Sequence, residues 1–161
     1  MKLAILLLED EAEVRAAVER DLLDFAAVLR IEVAEDVEDA WVVIDEINAE
    51  GDALAVAVCD HRLPGTTGID FMGQMMADER TQLTRKILLT GQADLADTVR
   101  AVNEAGLDQY LGKPWKPEDL QEAVRNQLTD YVEMVGVDPL PYMSCLDQVR
   151  AASFARRGIA D

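Results

Sequence analysis

The sequence is short of the chemistry that several large protein classes require. Its 161 residues contain two cysteines, Cys59 and Cys145, too few by themselves for a disulfide framework or a zinc site. Positive charge is scarce: 15 Lys and Arg against 32 Asp and Glu give a formal net charge of −17, which disfavours a nucleic-acid coat or a binder of anionic membrane and favours cations and basic partners. Long hydrophobic runs are missing as well. The longest, Ala53–Cys59, has seven residues, against the roughly 20 that span a bilayer. The apolar start, Met1–Leu8, superficially resembles a signal peptide but runs into Glu9, Asp10 and Glu11 with no small-residue cleavage site, so it reads as a buried strand and a cytoplasmic location is expected. There are no internal repeats and no low-complexity tracts.

Short apolar runs alternate with longer stretches of helical period, the pattern of a parallel sheet covered by helices. Leu3–Leu8 carries no polar alternation, as expected of a strand buried on both faces. Val14, Val18, Leu22, Phe25 and Leu29 stripe a first helix. A short strand follows at 31–34, then a second helix through Ala40, Val43, Ile44 and Ile47 that stops near Gly51. Ala53–Cys59 is the clearest central strand, and a turn-rich loop from Leu63 to Gly68 separates it from a helix starting near Ile69. Lys86–Thr90 is a fourth strand, Leu95, Val99 and Val102 mark a fourth helix ending at Gly106, Gln109–Gly112 is a fifth strand, and Leu120, Val124 and Leu128 begin a fifth helix. The expected fold is therefore α/β, a doubly wound five-stranded parallel sheet. Beyond Asp130 the pattern weakens, although Leu146–Arg157 can form one more helix.

In an open α/β sheet the functional crevice lies beyond the carboxyl ends of the strands. The residues there are Glu9-Asp10-Glu11 after the first strand, Asp60 after the third, Thr90-Gly91 after the fourth and Lys113-Pro114 after the fifth. Carboxylates gathered this closely repel one another unless a cation holds them. Mg²⁺, a hard ion that takes oxygen ligands and often bridges to phosphate, is the natural partner. The chemistry suggested is phosphoryl transfer, a carboxylate attacking phosphorus while the metal and Lys113 neutralise phosphoryl oxygens.

Four motifs in order, Ile5-Leu6-Leu7-Leu8-Glu9-Asp10-Glu11, Cys59-Asp60-His61-Arg62-Leu63-Pro64 with Gly68, Leu88-Leu89-Thr90-Gly91, and Tyr110-Leu111-Gly112-Lys113-Pro114-Trp115, give the chain a resemblance to two-component response-regulator receiver domains, the CheY-like superfamily. The resemblance covers residues 1–128 and leaves 129–161 as a C-terminal extension, a linker or packed tail on the plainer reading, or the start of an output domain or a dimerising helix on the sharper one. It implies a flavodoxin-like (βα)5 fold of strand order 2-1-3-4-5. It further implies that Asp60 is the phosphoacceptor, charged by a histidine kinase or phosphotransfer protein. Glu9 and Asp10 would be the acidic pair that, with Asp60 and the main-chain carbonyl of Arg62, binds Mg²⁺. Thr90 would be the hydroxyl that moves to the phosphoryl group, Lys113 a phosphoryl contact preceding a cis proline, and Tyr110 the aromatic switch. Glu9 stands where Asp is common in the family and Leu63 where Met is common, while Arg62 and Gln92 occupy positions that tune the acyl-phosphate lifetime.

Plainer roles compete for each residue. Asp60 could cap a helix, the acidic triplet could serve only a helix N-terminus, and Thr90, Lys113 and Tyr110 could be ordinary strand or surface residues. Glu11 is assigned to that helix terminus and left outside the site. His61 reads as a solvent-exposed loop residue, Cys59 as a small buried strand residue, and Trp41 and Trp115 as packing. A haloacid-dehalogenase-type phosphohydrolase would require a second acid two residues after the nucleophile, where Arg62 stands. A flavodoxin-like nucleotide or flavin binder would require a phosphate loop where Glu9-Asp10-Glu11 lies, and a scaffolding pseudo-receiver would have lost a key position. The surface that responds to phosphorylation would be residues 93–128, with Arg100, Lys116 and Arg125 as basic groups on it, facing a downstream partner, a fused output domain or a second copy. No enzymatic activity beyond its own aspartyl phosphorylation and dephosphorylation is expected, and no direct contact with nucleic acid or membrane. The stretch from Gly91 to Trp115 is also similar to receivers attached to cyclic-nucleotide or cyclic-dinucleotide enzymes.

Overall fold

In a computed structural model that describes residues 1–91 and 105–160, the side chains of 156–160 excepted, the apolar runs form the strands of one sheet. Strand β1 is Leu3–Leu8, β2 Arg30–Ala34, β3 Ala53–Asp60, β4 Arg85–Thr90 and β5 Gln109–Gly112. They pair in parallel in the order β2-β1-β3-β4-β5. Every residue of β1 is buried, because side chains alternate between two covered faces. Leu3, Ile5 and Leu7 point into one apolar cluster, and Ala4, Leu6 and Leu8 into the other.

Helices α2, Val37–Ala49, and α3, Gly68–Met76, cover the second of these faces. Each opens on a side-chain cap, Asp36 accepting from the Asp39 amide at 2.7 Å and Thr67 from the Asp70 amide at 3.1 Å, which satisfies amides that the first turn leaves open. The expected stripe of Ala40, Val43, Ile44 and Ile47 is buried throughout. A small hairpin, Arg62–Leu63 paired with Thr66–Thr67, turns at Gly65 with φ +72° and delivers the chain from β3 into α3.

Helices α1, Ala12–Asp21, and α4, Pro117–Val135, cover the other face. Here the single expected helix through Leu29 is corrected: α1 ends at Asp21 and a 3-10 turn, Leu23–Ala27, follows. The cause is tertiary. The Asp21 carbonyl accepts from the Gln121 side chain of α4 at 2.9 Å, while the Phe25 amide bonds one residue nearer, to Leu22, at 3.0 Å. Leu22 and Phe25 stay in the core through the tighter turn because their spacing of three fits either helix, and Leu29, whose amide donates to the Phe25 carbonyl four residues back at 2.9 Å, joins them. The expected fourth helix, with Leu95, Val99 and Val102, lies outside the described residues, as do Gln92 and Arg100.

Helix α4 continues past residue 128 and stops at Gly136, φ +81°, a left-handed terminus that favours glycine. The chain then folds back through a 3-10 turn, Leu140–Cys145, into helix α5, Gln148–Ala160. Tyr142, Cys145, Leu146 and Ala151 join the α1–α4 cluster beside Tyr131 and Val132. Polar contacts secure the return: the Asp147 amide donates to Thr129 Oγ1 at 2.9 Å, and Arg150 Nη2 pairs with Asp130 Oδ1 at 2.6 Å. Leu146, 1% exposed, lies in the same packed cluster as β1. Leu146→Ala is therefore expected to destabilise the whole domain by about 3 kcal/mol, in a single denaturant transition seen alike by circular dichroism and tryptophan fluorescence. A separate early transition confined to the tail would show that residues 136–160 fold independently.

Candidate functional site

The strand ladder runs one residue beyond the strands themselves. The Glu9 amide donates to Ala34 O at 3.1 Å, the His61 amide to Leu89 O at 3.0 Å and the Lys113 amide to Thr90 O at 2.9 Å. These bonds tie the end of β1 to β2 and the ends of β3 and β5 to β4, and the Leu8–Cys59 register sets β1 beside β3, so the polar residues that end four strands meet at one edge of the sheet. Glu9 and Asp60 are 2% and 5% exposed, Thr90 is 5% exposed, and Asp10 is open to solvent. Glu9, Asp10 and Asp60 each offer an oxygen, all within 4.8 Å of one another.

Lys113 supplies the counter-charge. Its Nζ forms an ion pair with Asp60 Oδ1 and lies 3.7 Å from Glu9 Oε2. Burial alone would lower its pKa, but the bond to Asp60 and the fields of Asp60, Glu9 and Glu11 outweigh that and hold it above the usual lysine value. Glu9 moves the other way: burial, then the Asp60 charge, push its pKa up to about 7. Its Oε1 accepts from the Glu11 amide at 3.2 Å, whereas Oε2 is buried with no hydrogen-bond partner. A buried carboxylate oxygen without a donor, beside two more carboxylates, is the donor set of a site for a hard cation.

Other expected residues fall as follows. Thr90 ends β4 opposite Gly112, and its hydroxyl donates to Gly91 O at 3.2 Å. Lys113-Pro114 is cis. Arg62 is exposed and paired with Thr67 in the hairpin. Tyr110 pairs with Leu88 in register, and its ring is 50% exposed. One expectation is corrected. His61 is 4% exposed rather than an open loop residue, because the ladder continues through its amide and Gly68 N–H donates to its carbonyl at 2.7 Å. Arg125, half-buried on α4, sets its guanidinium over the Phe25 ring, 5.8 Å from the centroid. Gly68 admits no side chain: a Cβ there would lie 2.3 Å from the Asp60 carbonyl oxygen. Cys59 is fully buried, and burial pushes its thiol up to about 12. Trp41 packs edge-on against Phe71, and Trp115 donates to Asp21 Oδ2 at 3.0 Å.

One contact went unread in the sequence. Arg15 Nη1 donates to the Glu9 carbonyl at 2.8 Å. The available signal was a basic residue one turn into a helix, where the helix dipole favours acids.

A parallel α/β sheet with three acids, a hydroxyl and a lysine at its carboxyl edge defines a class of signalling domain, and comparison with known proteins agrees. Residues 5–125 match the response regulator receiver domain, and the chain belongs to that family. It is a receiver domain of two-component signalling, CheY-like in fold. The hydrogenase transcriptional regulatory protein HoxA of Cupriavidus necator is 31% identical over 75% of this chain and 23% of its own length. HoxA of Bradyrhizobium diazoefficiens is 27% identical over 97% of this chain and 30% of its own, and Response regulator Rre1 of Synechocystis 29% over 78% and 52%. The chain thus spans from 23% to 52% of the length of these relatives. Among solved structures, adenylate cyclase from Rhodopirellula baltica superposes with a TM-score of 0.73 at 23% identity, covering 87% of this chain and 97% of that one. A CheY-like receiver from Methanospirillum hungatei superposes at 0.69 and 24% identity, covering 83% and 99%. No helix among the described residues is long and apolar enough to cross a membrane.

The Glu9 shift sets a pH dependence. In metal-free buffer the folded chain holds the Glu9 proton up to about pH 7, whereas the unfolded chain releases it near pH 4.5. The folded state binds more protons in between, so stability falls as pH rises through that window and levels off above it. Chemical denaturation across the window should show wild type losing on the order of 2 kcal/mol more than Glu9→Gln; parallel curves would remove Glu9 as the cause.

Proposed function

We propose that the chain is a phosphorylation-driven switch in which Asp60 accepts a phosphoryl group from a histidine kinase or phosphotransfer protein. The observation that carries this reading is the buried Asp60 carboxylate at the end of the central strand, paired with Lys113 and within 4.8 Å of two further acids. An oxygen of Asp60 forms the new bond to phosphorus as the bond from phosphorus to the donor's imidazole nitrogen breaks, the electron pair leaving with the donor. Lys113, held protonated, turns from the carboxylate to a phosphoryl oxygen. Thr90 exchanges its main-chain acceptor for the phosphoryl group. Glu9, Asp10, Asp60 and the Arg62 carbonyl would hold Mg²⁺, which when bound supplies positive charge against the phosphoryl oxygens. The donor-less Glu9 Oε2 supports that assignment.

Phosphorylation adds charge and three acceptor oxygens, so contacts from Thr90 and Lys113 arise only in that state. Tyr110, half exposed on β5, is the aromatic group that follows Thr90. A partner that prefers the resulting surface over residues 93–128 stabilises the phosphorylated form equally. That partner is a downstream protein, a second copy or a fused output domain. The receiver motifs lie within residues 1–128, and 129–161, which completes α4 and packs Tyr142, Leu146 and Ala151 into the same core, is an extension toward an output region. Alignment of the Bradyrhizobium regulator with 97% of this chain, against 30% of its own length, supports that continuation. The proposed setting is the cytoplasm, and no turnover of an external substrate, and no direct nucleic-acid or membrane contact, is assigned to this segment.

Incubation with acetyl phosphate and Mg²⁺ should give one phosphoryl adduct by intact mass, absent without metal and absent in Asp60→Asn. A folded wild-type chain that forms neither this adduct nor a Mg²⁺-dependent beryllofluoride complex would sink the assignment. Mg²⁺ must displace the Glu9 proton, so its affinity should fall about tenfold per pH unit below roughly pH 7. Calorimetric titration at several pH values checks this, and Glu9→Gln should flatten the dependence.

A further inference from the structure

Arg15 is a cation where helix electrostatics favours an anion. It stands one turn into α1, at the positive end of the helix dipole, in a chain with twice as many acids as bases. Its guanidinium nevertheless forms no ion pair with a carboxylate among the described residues. It turns back toward the strand end, and Nη1 donates to the main-chain carbonyl of Glu9 at 2.8 Å.

That carbonyl belongs to the peptide joining Glu9 to Asp10, so the contact acts on both acids at once. Residue 9 is held from three sides: its amide donates to Ala34 O at 3.1 Å, its carbonyl accepts from Arg15, and its Oε1 accepts from the Glu11 amide at 3.2 Å. Only Oε2 is left without a donor, buried and directed toward Lys113 and the neighbouring carboxylates. Helix α1 has no side-chain cap at Glu11, so no cap fixes the turn between β1 and α1.

We propose that Arg15 is a positioning residue that presets the Glu9–Asp10 peptide for a divalent cation. The proposal rests on the metal reading given above. It carries a sign that separates it from simple electrostatics. Deleting a positive charge beside a cation site strengthens cation binding by charge alone, whereas deleting a bond that orients two of the ligands weakens it. Outer partners of metal ligands are typically worth 10–100-fold in affinity.

The test is calorimetric titration of Mg²⁺ into the full chain at about pH 8, where the Glu9 proton no longer competes. Wild type is compared with Arg15→Met, Arg15→Lys and Arg20→Met, the last removing an equal charge from the exposed final turn of the same helix. Arg15→Met should bind about tenfold more weakly, and Arg15→Lys, which keeps a donor, should recover most of the loss. Arg20→Met should bind as wild type does or slightly more tightly. A metal-free thermal melt accompanies each variant; if Met is not tolerated, Arg15→Leu, equally uncharged and without a donor, takes its place and must show the same loss. A wild-type chain that takes up Mg²⁺ while the uncharged variant binds as well or better overturns the positioning role and leaves the metal site standing. A wild-type chain that takes up no Mg²⁺ overturns both.

Discussion

Burial of β1 and β3 on both faces is the constraint on which the rest of the structure depends. A strand covered by helices on each side can carry no polar side chain along its length without an unsatisfied buried group. Leu3–Leu8 and Leu54–Cys59 obey this without exception. The polar residues of these strands are consequently confined to their ends, and because the strands are parallel and in register, the ends coincide. The acidic edge is in that sense a by-product of the core: the packing that stabilises the sheet also gathers Glu9, Asp10 and Asp60.

Gathering them has an electrostatic cost, which the structure meets in three ways. Lys113 pairs with Asp60. Glu9, buried beside a second carboxylate, holds its proton far above the ordinary range. Asp10 stays exposed, where water screens it. A site balanced like this responds to added positive charge, because a cation relieves both the repulsion and the proton. Close backbone packing keeps the groups in place: Gly68 leaves no room for a side chain against the Asp60 carbonyl, and the ladder bonds beyond β1, β3 and β5 tie those ends to β2 and β4.

Much of this was legible in the linear pattern. The five strands, their buried character, the stripe of α2 and the acids and lysine at the strand ends follow from periodicity and from the rule that crevices lie at carboxyl edges. What was not legible depended on partners distant in sequence. The stripe from Val14 to Leu29 reads as one helix, yet it breaks because Gln121, from the far end of the chain, takes the Asp21 carbonyl. His61 looked like an exposed loop residue because its burial depends on the neighbouring β4 and on Gly68 folding over it. That the Arg125 guanidinium would lie over Phe25, a hundred residues earlier, was likewise invisible in the linear pattern. The segment after Asp130 reads as weakly patterned because its few apolar residues complete a core that other elements have already built.

The sequence by itself determined the class of fold, the strand edge at which the chemistry lies and the types of residue found there, because these depend on local periodicity and on where an apolar run stops. Tertiary structure alone decided the charge state of Glu9, the partner of Lys113, the return of residues 136–155 onto the α1–α4 face and the grip of Arg15 on the Glu9 carbonyl. Each of these is set by desolvation or by an ångström-scale distance between groups on different elements, and neither quantity exists until the chain has folded.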